Sequence, residues 1–449
     1  MADESLVAPS ATAPVDASRD ERNWRSYLAA SEIDTRLAGL FVALIAIWLT
    51  FHLLSDGDFI TSRNLWNLSV QSASIAIMAT GMVLIIVSRN IDLSVGSLLG
   101  FLGYFMGMIQ TRWIPISWDL GYNRAYTWII AVLAGIALGA IVGALQGFVV
   151  AYGGVPAFIV TLGGFLAWRG LIFRLGAKGQ TLSPLDDRFG RIGGGGKDGS
   201  LGEMRSWLLA ILGCAAICAS TYFARRRRQR FNLGVRPMGV DIGLAAFSCI
   251  VVIAAVGLVF NGYESPITGD PTGVAYPVVI LIFVTIIMTY VSKRRRFGRY
   301  VYAYGGNPEA AELGGINTRR TVMFTFVLMG VLCAVSAAVQ TARLDSATTG
   351  LGVQNELDVI SAAVIGGVSF AGGIGTIFGA VLGAVVMQSL RSGMALLHID
   401  SPSQDIVVGV VLVTAVAVDA QLRKASRVGV LVALGLGLGI SAFIIQTGR

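Results

Sequence analysis

"GIALGAIVGALQGFVVAYGGVPAFIVTLG", residues 135–163, has no charged side chain and a glycine at every fourth position: Gly135, Gly139, Gly143 and Gly147. On a helix those glycines form one smooth stripe, along which a second backbone can approach closely. The apolar run is long enough to cross a bilayer. It breaks at "YGG", and Pro156 opens the next run. A second stretch, "GTIFGAVLGAVVMQSLRSGMALLHIDSPSQDIVVG" (375–409), repeats the arrangement with Gly375, Gly379 and Gly383, a break, and then Pro402. Upstream of each stripe lies an acidic interruption, "NIDLSVGSLLG" (90–100) and "ELDVISAAVIGG" (356–367).

The rest of the chain agrees with a membrane reading. Of its 449 residues 55% are hydrophobic and 13% are charged, with a mean hydropathy of +0.71. Soluble domains carry about twice that charge, roughly 25%. Apolar runs fall near 37–54, 68–87, 94–110, 127–151, 156–175, 206–223, 240–260, 272–292, 321–339, 358–371, 374–391, 404–420 and 428–446. The expected fold is therefore all-α and integral to the membrane: a polytopic bundle of about 12–13 spans, with broken helices. Residues 1–35 read as a cytoplasmic tail, 36–449 as the membrane body, and 421–449 as an extra C-terminal span.

The net charge of +8 does not point to nucleic acid, because the arginines cluster in short loops between apolar runs. "ARRRRQRFNLGVR" (224–236) holds six arginines, and residues 293–320 hold seven Lys/Arg, whereas "NGYESPITGDPTG" (261–273) has Glu264 and Asp270 and no basic residue. The positive loops belong inside. Counting from them places the N-terminus inside, 176–205 outside and 421–427 inside. On that count the run 127–151 travels inward and 374–391 outward, so the two glycine-striped copies form an inverted repeat. Paired, interrupted segments in opposite topology point to a transport pathway. A broken helix frees backbone groups that only protein or a watery cavity can satisfy.

Several chemistries lack their residues. "GGGGKDGS" (193–200) follows Lys197 with Asp198, so it is not a phosphate-binding loop. Cys214 and Cys218 have no nearby histidine or carboxylate to complete a metal site. The acidic groups sit at span ends, unlike the mid-span carboxylates that an ion-coupled carrier needs. A membrane-edge transferase site is missing too. If the chain pumps, its energy comes from another polypeptide.

"YGGNPEAAELGGINTRR" (304–320) stands out as a short capped helix in a basic loop. Asn307 is a good N-cap, Pro308 fits the first helical position, and Gly314 can take the left-handed stop. Such a knob suits mechanical contact with a soluble motor.

The strings "NIDLSVGSLLGF", "GGNPEAAELGGINTRR" and "ELDVISAAVIGGVSFAGGIGTIFGAVLGAVV" together resemble the permease subunits of bacterial monosaccharide ABC importers, the ribose/xylose/galactose group, over about residues 37–420. The extra pair 206–260 and "RGLIFRLGAKGQTLSPLDDRF" set the chain nearest the xylose type. The resemblance implies import of D-xylose or a related sugar across the bacterial inner membrane. It implies a homodimer in lipid, two cytoplasmic ATP-binding subunits that hold the ATP and Mg, and a periplasmic sugar-binding protein. No cofactor is expected on this chain, and no catalysis. Asn307 to Gly314 become the helix that docks on the ATPase, with Pro308, Glu309, Ala310, Ala311 and Leu313 as its surface; Glu309 and Glu312 either pair with basic groups there or remain solvated.

For the path itself the candidates are Asn90, Asp92, Ser94, Ser97 and Asp358. Asp92 reads as an anchor that caps freed N–H groups of a broken span or as a plain N-cap for 94–110, and neither it nor Asp358 reads as a sugar ligand. Glu356 and Asp405 are expected to face outside water, and Arg169 to reach the outer interface. A branched-chain amino-acid permease and an ion-coupled secondary transporter remain the competing readings.

Overall fold

The computed structural model describes residues 35–176, 179–195, 198–232, 237–265 and 269–423. The N-terminal tail and the final span of the sequence reading lie outside them. Helices follow one another as α1 (Thr35–Leu54), α2 (Ser62–Val87), α3 (Val95–Met108), α4 (Thr127–Ala151), α5 (Ala157–Leu175), α6 (Asp187–Ile192), α7 (Gly202–Arg230), α8 (Met238–Ala254), α9 (Tyr276–Arg294), α10 (Arg296–Gly306), α11 (Pro308–Leu313), α12 (Thr318–Leu344), α13 (Asn355–Ile365), α14 (Ile377–Leu396) and α15 (Ser401–Arg423). Wide π-type turns extend α3 and α8. Among the described residues the only β pairing is three isolated bridges.

Nine of the described helices are long and apolar enough to cross a membrane, fewer than the thirteen apolar runs suggest. Four runs are missing from the nine: the run 404–420 contributes only a shorter apolar helix, Ser401–Thr414, the run 428–446 lies outside the described residues, and the other two are short helices. The runs 94–110 and 358–371 fold as helices of only 14 and 11 residues. At ~1.5 Å per residue these reach about 21 and 16 Å, well short of a ~30 Å hydrocarbon core. The first is almost entirely buried and the second mostly so, apart from Leu357, so the rest of the bundle covers most of both.

The centre is a pair of antiparallel helices, α2 and α12. Ser336 Oγ donates to the Ser74 carbonyl at 2.8 Å, and further along Gly81 abuts Leu332 and Met329. Around this pair the neighbours are arranged reciprocally. Helix α4 packs on α12 while α14 packs on α2; α3 lies on α12 while α13 lies on α2; α3 touches α5 while α13 touches α15.

The glycine stripes make these approaches possible. Gly139, Gly143 and Gly147 sit directly on the backbone of α12 at Gly330, Phe326 and Met323, and Gly135 receives the Met106 side chain. Gly379 and Gly383 sit on Gly366 and on the Ala362 carbonyl of α13. Gly375 lies just ahead of α14, against Val368 and Val87. Any Cβ on these faces would occupy space already taken by a neighbouring backbone or side chain, which is the packing logic of helices in lipid. Elsewhere, Gln388 Nε2 donates to Gln71 Oε1 at 2.7 Å across the α14–α2 contact.

Candidate functional site: where the loop helices meet the two interruptions

Helix α11 forms where its sequence signals ask for it. Asn307 Oδ1 accepts the Ala310 N–H at 3.1 Å, and Pro308 follows the cap. The stop differs from expectation by one residue. Gly314 has φ −74°, and the left-handed residue is Gly315, with φ +79°. The Ile316 N–H then reaches the Ala311 carbonyl at 3.1 Å and the Gly315 N–H the Glu312 carbonyl at 2.9 Å, closing the helix end. Thr318 Oγ1 donates to Glu312 Oε1 at 2.9 Å, which ties the short helix to the start of α12.

The expected docking face also needs one correction. Ala311 is turned inward and is 5% exposed. Glu309, Ala310 and Glu312 face out, and Leu313 is 91% exposed, more than any other large apolar side chain among the described residues. The free face of the knob is therefore centred on Leu313.

What the knob rests on was not legible in the sequence. Helix α10 leads into it and ends against both interruptions of the bundle. Gly305 lies flush on the Val87 carbonyl. Arg89, in the left-handed region at φ 60°, donates from Nε to the Gly305 carbonyl at 2.8 Å and from Nη2 to the Gly306 carbonyl at 2.9 Å. The Gly373 N–H donates to the Val87 carbonyl at 3.0 Å, and the Tyr302 hydroxyl to the Gly375 carbonyl at 2.7 Å. Burial pushes the Tyr302 phenol up to about 12. One loop thus holds the segment before α3 and the segment before α14 together.

The polar candidates of the first interruption are grouped but already engaged. Asp92 is 1% exposed, and its Oδ1 accepts the Ser94 N–H at 2.8 Å and the Ser94 hydroxyl at 2.6 Å. Gln146 of α4 donates to Ser94 Oγ at 2.9 Å; Ser97 Oγ donates to the Ser94 carbonyl at 2.9 Å. Asn90 turns its amide to the Ser88 carbonyl at 2.9 Å. Together these groups satisfy the unwound turn from within the protein. None of the five path candidates lines the cavity of about 1010 Å³ that lies between residues 108–123 and 180–187.

Asp358 is elsewhere. It sits within the first turn of α13 rather than in an unwound segment, and it accepts Arg391 Nη2 at 2.8 Å. Arg391 Nη1 also meets Asp405 of α15 at 3.3 Å. Glu356, expected in outside water, is instead 8% exposed, beside Gly96 of α3. Arg169, expected at the interface, donates to the Leu351 carbonyl at 3.2 Å. Arg391 was given no role from sequence, although a cation inside an apolar run requires a partner. Among the described residues no cluster of metal-ligating side chains occurs.

Comparison with known proteins agrees with this architecture. A family model described as the permease component of a branched-chain amino acid transport system matches residues 64–416. The xylose transport system permease protein of Haemophilus influenzae is 37% identical over 385 residues, covering 86% of this chain and 96% of the relative. The ribose import permease protein of Escherichia coli K12 is 32% identical, covering 84% and 92%. The galactose/methyl galactoside import permease protein of Salmonella typhimurium is 26% identical, covering 85% and 93%. No solved structure matches. With the match running from the start of α2 into α15, the chain belongs to this family of transport-system permease components.

Proposed function

We propose that this chain is the membrane-spanning subunit of an ATP-binding-cassette importer that brings a neutral monosaccharide, D-xylose or a related sugar, into the cytoplasm. Relatives named for xylose, ribose and galactose align over nearly their whole length, which favours sugar over a branched-chain amino acid. ATP and Mg belong to two separate cytoplasmic ATP-binding subunits. A periplasmic sugar-binding protein delivers the substrate to a pair of these chains in the inner membrane. The N-terminus and the basic loops face the cytoplasm. Helices α2–α5 and α12–α15 form an inverted repeat; the reciprocal packing of the two sets about the antiparallel α2–α12 pair supports it.

The observation that carries this reading is the grip of α10 on both interruptions through Arg89 and Tyr302. An ATPase that seats on Leu313, Glu309 and Ala310 moves α11 as a rigid piece. Asn307, Pro308 and Gly314 keep that piece short and stiff. Arg89 passes the displacement to the start of α3, and Tyr302 passes it to the start of α14. Asp92, Ser94 and Ser97 then serve as anchors of the moving turn rather than as sugar ligands.

Two experiments test this. The first is uptake of labelled pentoses, hexoses and branched-chain amino acids by cells with and without the chain. Uptake of an amino acid instead of a sugar would overturn the substrate class. The second uses Arg89→Gly, which keeps the left-handed backbone and removes the guanidinium. In vesicles with the ATPase and binding protein, uptake per ATP hydrolysed should fall at least about tenfold, the size expected from losing even one charge-assisted hydrogen bond. Arg89→Lys should recover part of it, and unchanged uptake per ATP in Arg89→Gly would refute the transmission role.

A further inference from the structure

The end of the bundle away from α11 carries the cleft of about 1010 Å³. Its two walls belong to different parts of the fold. One continues α3. After Met108 the chain runs through wide π-type turns over Ile109–Ser117, a form that often marks a functional position, and on to Tyr122 and Asn123. The other wall, residues 180–187, is fixed to the end of α12. The Leu182 and Ala347 backbones exchange hydrogen bonds at 2.9 Å, and the Leu185 N–H donates to Asp345 Oδ1 at 3.2 Å.

Side chains join the walls. The Tyr104 hydroxyl donates to the Gln180 carbonyl at 2.8 Å, and Arg112 Nη2 donates to Gln180 Oε1. Gln110 Oε1 accepts the Asp186 N–H at 3.2 Å, and Asn123 Nδ2 donates to Asp187 Oδ2 at 2.7 Å. Trp113 and Tyr122 add aromatic surface; Trp113 packs edge-on against Phe105, whereas Tyr122 is 64% exposed. Asp186 also contributes to the wall but is 5% exposed. Its Oδ1 accepts the Arg188 N–H at 2.9 Å, and its Oδ2 has no partner among the described residues. A buried acceptor needs a donor, and water or a ligand hydroxyl can supply it.

We propose that this cleft binds one neutral monosaccharide, as an entry subsite on the extracytoplasmic side. The C–H face of the ring lies on Tyr122, and the hydroxyls meet Asp187, Asn123 and Gln180. The volume is that of a small-molecule site, about 300–1,000 Å³. A hydroxyl both donates and accepts, so it can use the lone pairs and amide hydrogens that the contacts between the walls leave over. Both charges of the pair Arg112 and Asp187 are already held by an amide from the opposite wall. A zwitterionic amino acid would have to break those contacts, and a sugar leaves them in place. A metal ion has no cluster of ligands here among the described residues. The inference rests on the reading of the chain as a sugar importer and adds to it a place where the sugar waits before the bundle opens.

The test is saturation-transfer NMR on the full-length protein in lipid nanodiscs, without ATPase or binding protein, using D-xylose, D-ribose, D-galactose and L-leucine in turn. Wild type should transfer signal to at least one sugar, saturating at millimolar concentration, and none to L-leucine. Tyr122→Ala should weaken sugar binding about fivefold, the size of one aromatic contact. Adding Asp187→Asn should abolish the signal. Tyr126→Ala removes a 41%-exposed tyrosine of the same outer segment that does not line the cleft, and should leave the signal unchanged. Thermal unfolding checks that each variant folds, and Tyr122→Ala alone serves if the double variant does not. A wild type that transfers no signal to any sugar, yet takes sugar up when its partners are added, would overturn the subsite and leave the importer reading standing. Sugar signal that survives the double variant, equal loss in Tyr126→Ala, or transfer to L-leucine that Tyr122→Ala removes would each overturn the proposal as well.

Discussion

The bundle is interrupted at two places that meet at one loop, and the two differ in how far they rely on side chains. The first, Ser88–Ser94, is held by side chains: Asp92 on Ser94, Asn90 on Ser88, and Gln146 reaching in from α4. The second, Gly366–Thr376, relies more on backbone, with Ser369 Oγ accepting the Ala371 N–H at 3.1 Å as its one internal side-chain bond among the described residues. The Ser369 N–H reaches the Ile374 carbonyl and the Gly372 N–H the Ser369 carbonyl, both at 3.0 Å, and Gly367, Gly372 and Gly373 have positive φ. A Cβ on Gly372 would also press on Arg89 and on the Gly305 carbonyl. Both solutions obey one constraint, that freed N–H and C=O groups in a membrane need partners. One supplies the partners from polar side chains. The other folds tightly enough that the chain supplies its own.

The second half has a further device at the opposite end of its short helix, and there the largest effect is expected. Arg391 joins Asp358, whose side chain is 6% exposed, to Asp405. Replacing Arg391 by Ala strands a buried carboxylate, which should cost about 3–5 kcal/mol. Thermal unfolding in lipid nanodiscs should show a large loss, and Asp358→Asn added to Arg391→Met should regain most of it. A neutral result for Arg391→Ala would mean that water reaches Asp358 and that the two halves do not differ as described.

The contrast also explains what could be read in advance. The apolar runs gave nearly every long helix, because burial in lipid needs only composition and length. The Asn307 cap was readable because donor and acceptor are three residues apart, and Asp92 was readable as a local capping group, though not its pairing with Ser94. Arg89 on Gly305 joins residues 216 apart in the chain, and Arg391 on Asp358 joins residues 33 apart. No local pattern encodes such pairs. The one available signal was the placement of single arginines at or within the ends of apolar runs, where each must find a partner. Ala311 was misplaced for a related reason: a two-turn helix has an inner and an outer face, and only the position of α10 decides which is which.

An intermediate effect tests the side-chain-built interruption. Asp92→Ala removes the acceptor for both the amide and the hydroxyl of Ser94. With those donors buried, the expected loss is about 1–3 kcal/mol. Asp92→Asn keeps an acceptor oxygen and should cost less than half as much. Unfolding temperatures of the two variants decide the matter. If Asn is as damaging as Ala, then the carboxylate's charge, and not its capping geometry, organises the turn.

The smallest effect falls on the backbone-built side, where the only side chain that α10 sends to the second interruption by hydrogen bond among those described is Tyr302. Tyr302→Phe leaves the Gly375 carbonyl without its donor and should cost about 1 kcal/mol at pH 8. The pH dependence distinguishes this contact from general loosening. The Tyr302 phenol is raised to about 12 from an ordinary value of 10.0, so above pH 10 the unfolded chain gives up this proton while the folded chain keeps it. Folding then binds the proton, and stability falls as pH rises through that window, by at most ~1.4 kcal/mol per unit from this group. Below pH 10 the contribution is fully present. The gap between wild type and Tyr302→Phe should therefore be constant up to about pH 10, then shrink, and close or reverse before pH 12, because the Phe variant has no proton to lose at this position. A gap that keeps its size across that range would place the phenol in water and remove the Tyr302–Gly375 hydrogen bond from the contact between α10 and the second interruption.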